Sequence, residues 1–222
     1  MIQLEQVSKR YANKKALDHA NLHIPRGAMA FLTGHSGAGK STLLKLIMLM
    51  ERPSNGRVII DQQDLSKLNG NQIALHRRKV GLVFQNHQLL EDYSVHDNIA
   101  LPLKVSGYNN LDAGRRVRAA LDKVGLLSKE KQLPRVLSTG EQQRIGIARA
   151  IVNKPRLILA DEPTGNLDPK LSAEIMQLFE QFNQVGVTVL IASHDLSLIE
   201  RLPHPKIHLH QGHLSGAFIG SN

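Results

Sequence analysis

The chain has 222 residues, 28 Lys and Arg against 19 Asp and Glu, and a formal net charge of +9; its 41% hydrophobic content supports a folded core. No cysteine is present, which excludes disulfides, iron–sulfur clusters, thiolate zinc sites and thiol nucleophiles. No stretch approaches the ~18 apolar residues of a membrane span, and Met1-Ile2-Gln3-Leu4-Glu5 lacks a signal-peptide layout, so the expectation is an intracellular or peripheral protein beside nucleic acid or an anionic membrane surface.

Short strands are expected first: Ile2–Ser8 alternates, a polar turn follows at Asn13-Lys14-Lys15, and Ala16–Ile24 is a second strand. Pro25-Arg26-Gly27 turns the chain into an apolar strand, Ala28–Thr33, which runs into a glycine-rich loop. Lys40–Met50 has helical spacing at Leu43, Leu44, Ile47 and Met48. Pro53-Ser54-Asn55-Gly56 predicts a turn, followed by strands at Arg57–Ile60 and Val80–Phe84. From Ser94 to Pro134 helix formers dominate, and Val117, Leu121 and Val124 share one face. An α/β rhythm then returns: helix Gly140–Val152, strand Leu157–Ala160, helix Leu171–Val185, strand Val187–Ala192. Such near-continuous apolar strands predict a buried parallel sheet. Lys206–Leu214, with Gln211-Gly212 at its centre, predicts a terminal hairpin.

Gly34-His35-Ser36-Gly37-Ala38-Gly39-Lys40-Ser41 fits G-x-x-x-x-G-K-[ST], directly after a strand and before a helix. Successive N–H groups in such a loop face phosphate oxygens, and the next helix, opening through Ser41 and Thr42, adds its dipole. Lys40 can reach the β- and γ-phosphates and Ser41 can ligate Mg²⁺. Chance produces this pattern in roughly 1% of chains of this length. Leu157-Ile158-Leu159-Ala160-Asp161-Glu162 is an apolar strand ending in two acids. Ligands bind beyond the carboxyl ends of parallel strands, so both acids are expected to face the phosphate loop. Asp161 would hold the Mg²⁺ shell and Glu162 would polarise an attacking water.

Leu137-Ser138-Thr139-Gly140-Glu141-Gln142-Gln143-Arg144 resembles the LSGGQ signature of ABC ATPases. Gln85 matches that family's Q-loop, Asn166-Leu167-Asp168 its D-loop, and His194 in Ala192-Ser193-His194-Asp195 its switch histidine. Tyr11 stands where the family places an adenine-stacking aromatic. The resemblance spans nearly the whole chain and implies an α/β fold: a P-loop core, an N-terminal antiparallel β subdomain, and a helical subdomain at 94–134 inserted in one ATPase domain, 1–222. It implies Mg²⁺-dependent ATP hydrolysis by a homodimer, with Ser138 and Gly140 of the facing subunit donating to the phosphates. His194 would then contact the γ-phosphate and orient the water. Gln85 would ligate Mg²⁺ and report nucleotide state to a partner.

Stretches 31–47, 161–168 and 185–190 resemble the family's cell-division subunits. That implies an integral membrane partner, a peripheral place on the cytoplasmic face of the bacterial inner membrane, and signalling to cell-wall hydrolases. The alternative is the ATPase of a transporter or of a lipoprotein-releasing or efflux complex. A nucleic-acid-acting ABC ATPase is not expected, because long coiled-coil insertions and a second cassette are both missing.

Thr139 replaces the first signature glycine. A threonine takes positive φ at a cost and adds bulk near phosphate, so slowed hydrolysis with retained nucleotide binding is expected. Glu141 in place of Gln is a smaller departure. His204, His208, His210 and His213 raise a metal reading, but a polar terminal hairpin is the better expectation. Arg77-Arg78-Lys79 and the basic cluster at 115–123 are expected as solvated faces that could meet phospholipid or an acidic partner.

Overall fold

Two sheets of opposite character arise from two kinds of sequence pattern. The computed structural model describes residues 1–12 and 14–219. Alternating segments build the first sheet: β1 (Ile2–Tyr11) and β2 (Lys14–Ile24) form an antiparallel pair. The apolar β3 (Met29–Thr33) leads through the phosphate loop into α1 (Lys40–Ile47). β4 (Asn55–Ile60) and β5 (Gln63–Asp64) complete the antiparallel sheet in the order β2-β1-β4-β5. α2 (Gly70–Arg78) and β6 (Val80–Val83) follow, then α3 (Val95–Val105) and α4 (Asn110–Lys123) fill the stretch where strands were absent from the pattern. The rest alternates: α5 (Thr139–Ile151), β7 (Leu157–Asp161), α6 (Pro169–Gln184), β8 (Thr188–Ala192), α7 (Leu196–Glu200) and the hairpin β9 (Lys206–His210) and β10 (His213–Gly216).

The second sheet has the order β10-β9-β3-β8-β7-β6. It is parallel except at its edge, where the hairpin makes β10 antiparallel to β9. Every residue of β3 and β8 is buried, as strands covered on both faces require. Alternation sends Phe31, Ile158, Ala160 and Ile191 to one core with α3–α6, and Ala30, Leu32, Leu157 and Leu159 to the other with α1 and the antiparallel sheet.

The pairing register fixes where these strands stop. Leu32 and Asp161 both lie opposite Ala192, and Val83 lies opposite Ala160. The carboxyl ends of β3, β6, β7 and β8 therefore form one edge, from which the phosphate loop, Gln85, Glu162 and His194 all emerge.

Several expected elements shift. Lys14 and Lys15, expected in a turn, already belong to β2, and Asn13 of that turn lies outside the described residues. α1 stops at Ile47 because Leu49 adopts φ 51°, and β4 begins at Asn55 within the expected turn. α2 was invisible to apolar periodicity. It is set by a capping box between Asn69 and Gln72, and by its far end, where His76 Nε2 lies 2.7 Å from Ile47 O and Arg77 Nη2 donates to Leu49 O at 2.6 Å. Arg77 thus caps the carbonyls at the end of α1 while it, Arg78 and Lys79 remain exposed, as expected of a solvated basic face.

Candidate active site

The loop after β3 is shaped by glycines that admit no side chain. A Cβ on Gly34 would lie 2.3 Å from Leu209 O, and one on Gly39 2.3 Å from Ala16 O. Gly39 also carries φ 112° as the N-cap of α1, a left-handed value that glycine adopts at little cost. Within the loop, Ala38 is buried, its N–H donating to His35 O at 3.1 Å, and His35 Nδ1 lies 2.8 Å from Ser36 O. The Lys40 ammonium folds back over the loop, donating to Gly34 O at 2.7 Å, and stands 3.4 Å from Glu162 Oε1.

Glu162 is 9% exposed and has φ 49°, a strained conformation for a residue with a side chain. Its backbone N–H donates to Ala192 O at 2.8 Å, which fastens β7 to β8 just where the strands end. Its second carboxylate oxygen lies 2.8 Å from His194 Nδ1 and accepts the His194 N–H at 3.2 Å. The lysine, the glutamate and the histidine thus form one polar chain from three separate strand ends.

Asp161 lies next along. Burial pushes its carboxyl above the ordinary aspartate value; the Ser41 hydroxyl opposes this, and the Glu162 charge adds to it. Its Oδ1 is buried without a hydrogen-bond partner among the described residues. An orphaned carboxylate oxygen beside a serine hydroxyl fits a hard divalent cation, which takes oxygen ligands.

Lys40, Glu162 and His194 bound an open cavity of about 460 Å³, its walls including also Ser36, Ser41, Thr42 and Gln85, while Asp161 does not line it. Tyr11, Lys14 and Ala16 line its outer side. Tyr11 is 39% exposed, its hydroxyl donates to the Glu51 carboxylate, and Lys9 Nζ sits 5.0 Å from its ring centre. The ring is thereby held at the mouth of the cavity with a face still open. Lys14 and Glu51 escaped sequence reasoning because they belong to no motif. Only the β1–β2 pairing and the turn after α1 bring them there.

Ser138 and Gly140 do not line this cavity. Ser138 is the N-cap of α5, closing a capping box with Glu141, whose Oε2 accepts the Ser138 N–H at 2.9 Å. A Cβ on Gly140 would come 3.1 Å from Leu171 Cδ1. Thr139 is the first residue of α5 and is not among the residues of positive φ. The expected backbone strain is therefore absent, and only its bulk distinguishes it from glycine.

The terminal histidines are dispersed. His208 Nδ1 lies 2.6 Å from Thr33 Oγ1, His204 pairs with Glu180 at 3.3 Å, and His210 stands edge-on to His35. His213 lies opposite His210 in the hairpin, 3.9 Å from Asp18. No group of three or more His, Asp or Glu among the described residues could hold a metal ion.

Comparison with known proteins identifies the family. Residues 17–165 match the family model described as "ABC transporter". The chain is 55% identical over 217 residues to the cell division ATP-binding protein FtsE of Escherichia coli (strain K12), covering 97% of this chain and 98% of that protein. Among solved structures, the dimeric bacterial ABC transporter cassette MJ0796 superposes with a TM-score of 0.89 at 34% identity, covering 100% of both chains. The same cassette in a post-hydrolysis dimer bound to ADP and Pi also gives 0.89, at 33% identity and the same coverage. A phosphate loop, two acids and a histidine brought to one sheet edge, in a fold shared at this level, make the chain an ATP-hydrolysing member of the ABC transporter family.

Proposed function

We propose that two copies of this chain, each acting as one ATPase domain, hydrolyse ATP with Mg²⁺ in bacterial cell division, coupled to an FtsX-like integral membrane protein. The observation that carries the chemistry is the convergence of Lys40, Glu162 and His194 on the phosphate-loop cavity. The division role is supported by the 55% identity to FtsE.

In this reading the loop N–H groups of residues 34–41 and the Lys40 ammonium hold the phosphates. The Tyr11 ring stacks on the adenine, with its orientation set by Glu51. Glu162 accepts a proton from the attacking water, and His194 contacts the γ-phosphate and orients that water. Ser41, Gln85 and Asp161 would hold Mg²⁺, which when bound neutralises charge on the phosphates. Ser138 and Gly140 stand away from their own chain's cavity, and they donate instead to the nucleotide of a facing copy. The dimeric state of MJ0796 supports that arrangement. Closure of the dimer would pass through the groove near Gln85 to the membrane subunit, and from there to cell-wall hydrolases. No helix among the described residues is long and apolar enough to cross a membrane, so attachment to the cytoplasmic face of the inner membrane would run through that partner. Nucleic acid has no part in this scheme.

Glu162→Gln tests the chemistry: turnover should fall about 10²–10⁴-fold while ATP induces a stable dimer on size exclusion. Unchanged turnover would overturn the assignment of the base. Co-purification in detergent tests the partner. Recovery of a permease with a dedicated solute pathway would move the chain to the transport reading.

A further inference from the structure

At the other end of β7 from the carboxylates, about 13 Å away along the strand, an open groove of about 800 Å³ runs between α4 and the end of α6. Its floor is apolar: Ala120, Val152 and Ile158 are buried there, and Phe182 is half-buried beside them. On its rim Val185 is 78% exposed, where α6 ends. The remaining rim carries four cations, Arg115, Arg116, Lys123 and Lys154, and the neutral Gln181 and Gln184, and no acidic residue lines the groove.

The charges here differ from those nearby. Arg118, also on α4, is 3.9 Å from Glu130, and Arg144 is 2.6 Å from Glu174. The four rim cations have no carboxylate partner among the described residues; Arg116 instead lies over the Tyr108 ring at 4.5 Å. A concave apolar floor with an unpaired cationic rim is the complement of a convex apolar stripe flanked by carboxylates. An amphipathic helix has that shape, presenting i, i+3, i+4 and i+7 anchors. A bilayer surface is flat on this scale and would leave the floor unfilled.

We propose that this groove docks an acidic amphipathic helix of a protein partner, on a surface remote from the nucleotide cavity. Its recognition combines burial of the partner's apolar stripe with pairing of its carboxylates to Arg115, Lys123 and Lys154. Such a surface would let the ATPase hold a second protein while the nucleotide cavity and the Gln85 edge remain free.

The test uses the full chain and a fluorescent 18-residue helical peptide with leucines at i, i+3, i+4 and i+7 flanked by glutamates, against a counterpart flanked by lysines. Anisotropy should show saturable binding of the glutamate peptide, at least tenfold tighter than the lysine peptide. Arg115→Glu with Lys123→Glu should weaken it tenfold or more, as should Val185→Asp, while basal ATP turnover stays unchanged. These three positions are exposed, so the variants should fold, with circular dichroism as the check. Absence of saturable binding, equal affinity for the two peptides, or indifference to both sets of substitutions would overturn the proposal. Vesicles of phosphatidylglycerol that bind through the same residues, without competition from the peptide, would overturn it in favour of a membrane surface.

Discussion

Asp161 holds its carboxylate in a place that does not suit the free chain. Burial raises its proton affinity, and one oxygen is left unpaired. Because the folded value lies above the unfolded one, the folded chain binds the proton more tightly. The ionised form therefore costs stability, and that cost disappears as pH falls through the folded value. Asp161→Asn should raise the melting temperature of the nucleotide-free chain at neutral pH, with the gain shrinking towards acid pH. The same variant should abolish Mg²⁺-dependent turnover. A melting temperature lowered by the substitution would show that the carboxylate is satisfied in the free chain. The placement of the glycine-rich loop and both acids at one sheet edge was legible in the sequence, because the roles proposed for them demand a residue type at fixed spacing. The left-handed backbone of Glu162 was not, since it follows from the β7–β8 register rather than from local preference.

The link between Gln85 and the signature helix is built at the level of elements. Arg149, on α5, donates to the carbonyls of His87 and Gln88, two consecutive residues of positive φ, and Gln143 on the same helix meets the His87 ring. Burial lowers the proton affinity of the Arg149 guanidinium, so it is held there against a desolvation penalty. Arg149→Ala should remove both hydrogen bonds at a cost of about 2–3 kcal/mol. It should also speed amide exchange across 85–90, and Arg149→Lys, lacking the fork, should not restore protection. Unchanged exchange would mean that the segment is held by other contacts. Long apolar-periodic helices such as α6 were readable from the pattern, with ends within two residues. α2 was not, because its position depends on His76 and Arg77 reaching the end of another helix.

At the scale of the whole molecule, one sheet separates two cores, and its alternating faces commit each side to a different neighbour. Acid should loosen the side carrying α1 first. His76 is buried against Ile47 O, and burial lowers its proton affinity, so the stability it contributes is present at neutral pH and fades as pH falls below the ordinary histidine value. His76→Gln should flatten the melting-temperature profile between pH 7 and 5; an unaltered slope would assign the acid sensitivity elsewhere. Assembly poses a separate question, on which Thr139 bears. It starts α5 in ordinary helical geometry, so in the dimer proposed above any effect would come from its side chain. Thr139→Gly should speed ATP turnover with little change in ATP affinity, and equal rates would show that the bulk is tolerated. The parallel sheet, the antiparallel layer and the helical stretch were foreseeable from strand patterning and from resemblance; that the terminal hairpin joins the parallel sheet through β9 was not. The basic groove was not, since its walls come from segments about seventy residues apart that are joined only by the fold.

The polar chain at the strand ends has one more consequence. In the free protein both oxygens of Glu162 are engaged, one towards Lys40 and the other with His194. On the reading proposed for this site, those partners are the groups that turn to the γ-phosphate when nucleotide arrives. Substrate would then strip the carboxylate of its companions and leave its lone pairs open to water. On that reading the base is held by its own neighbours while the site is empty, and nucleotide, in loading, would release it.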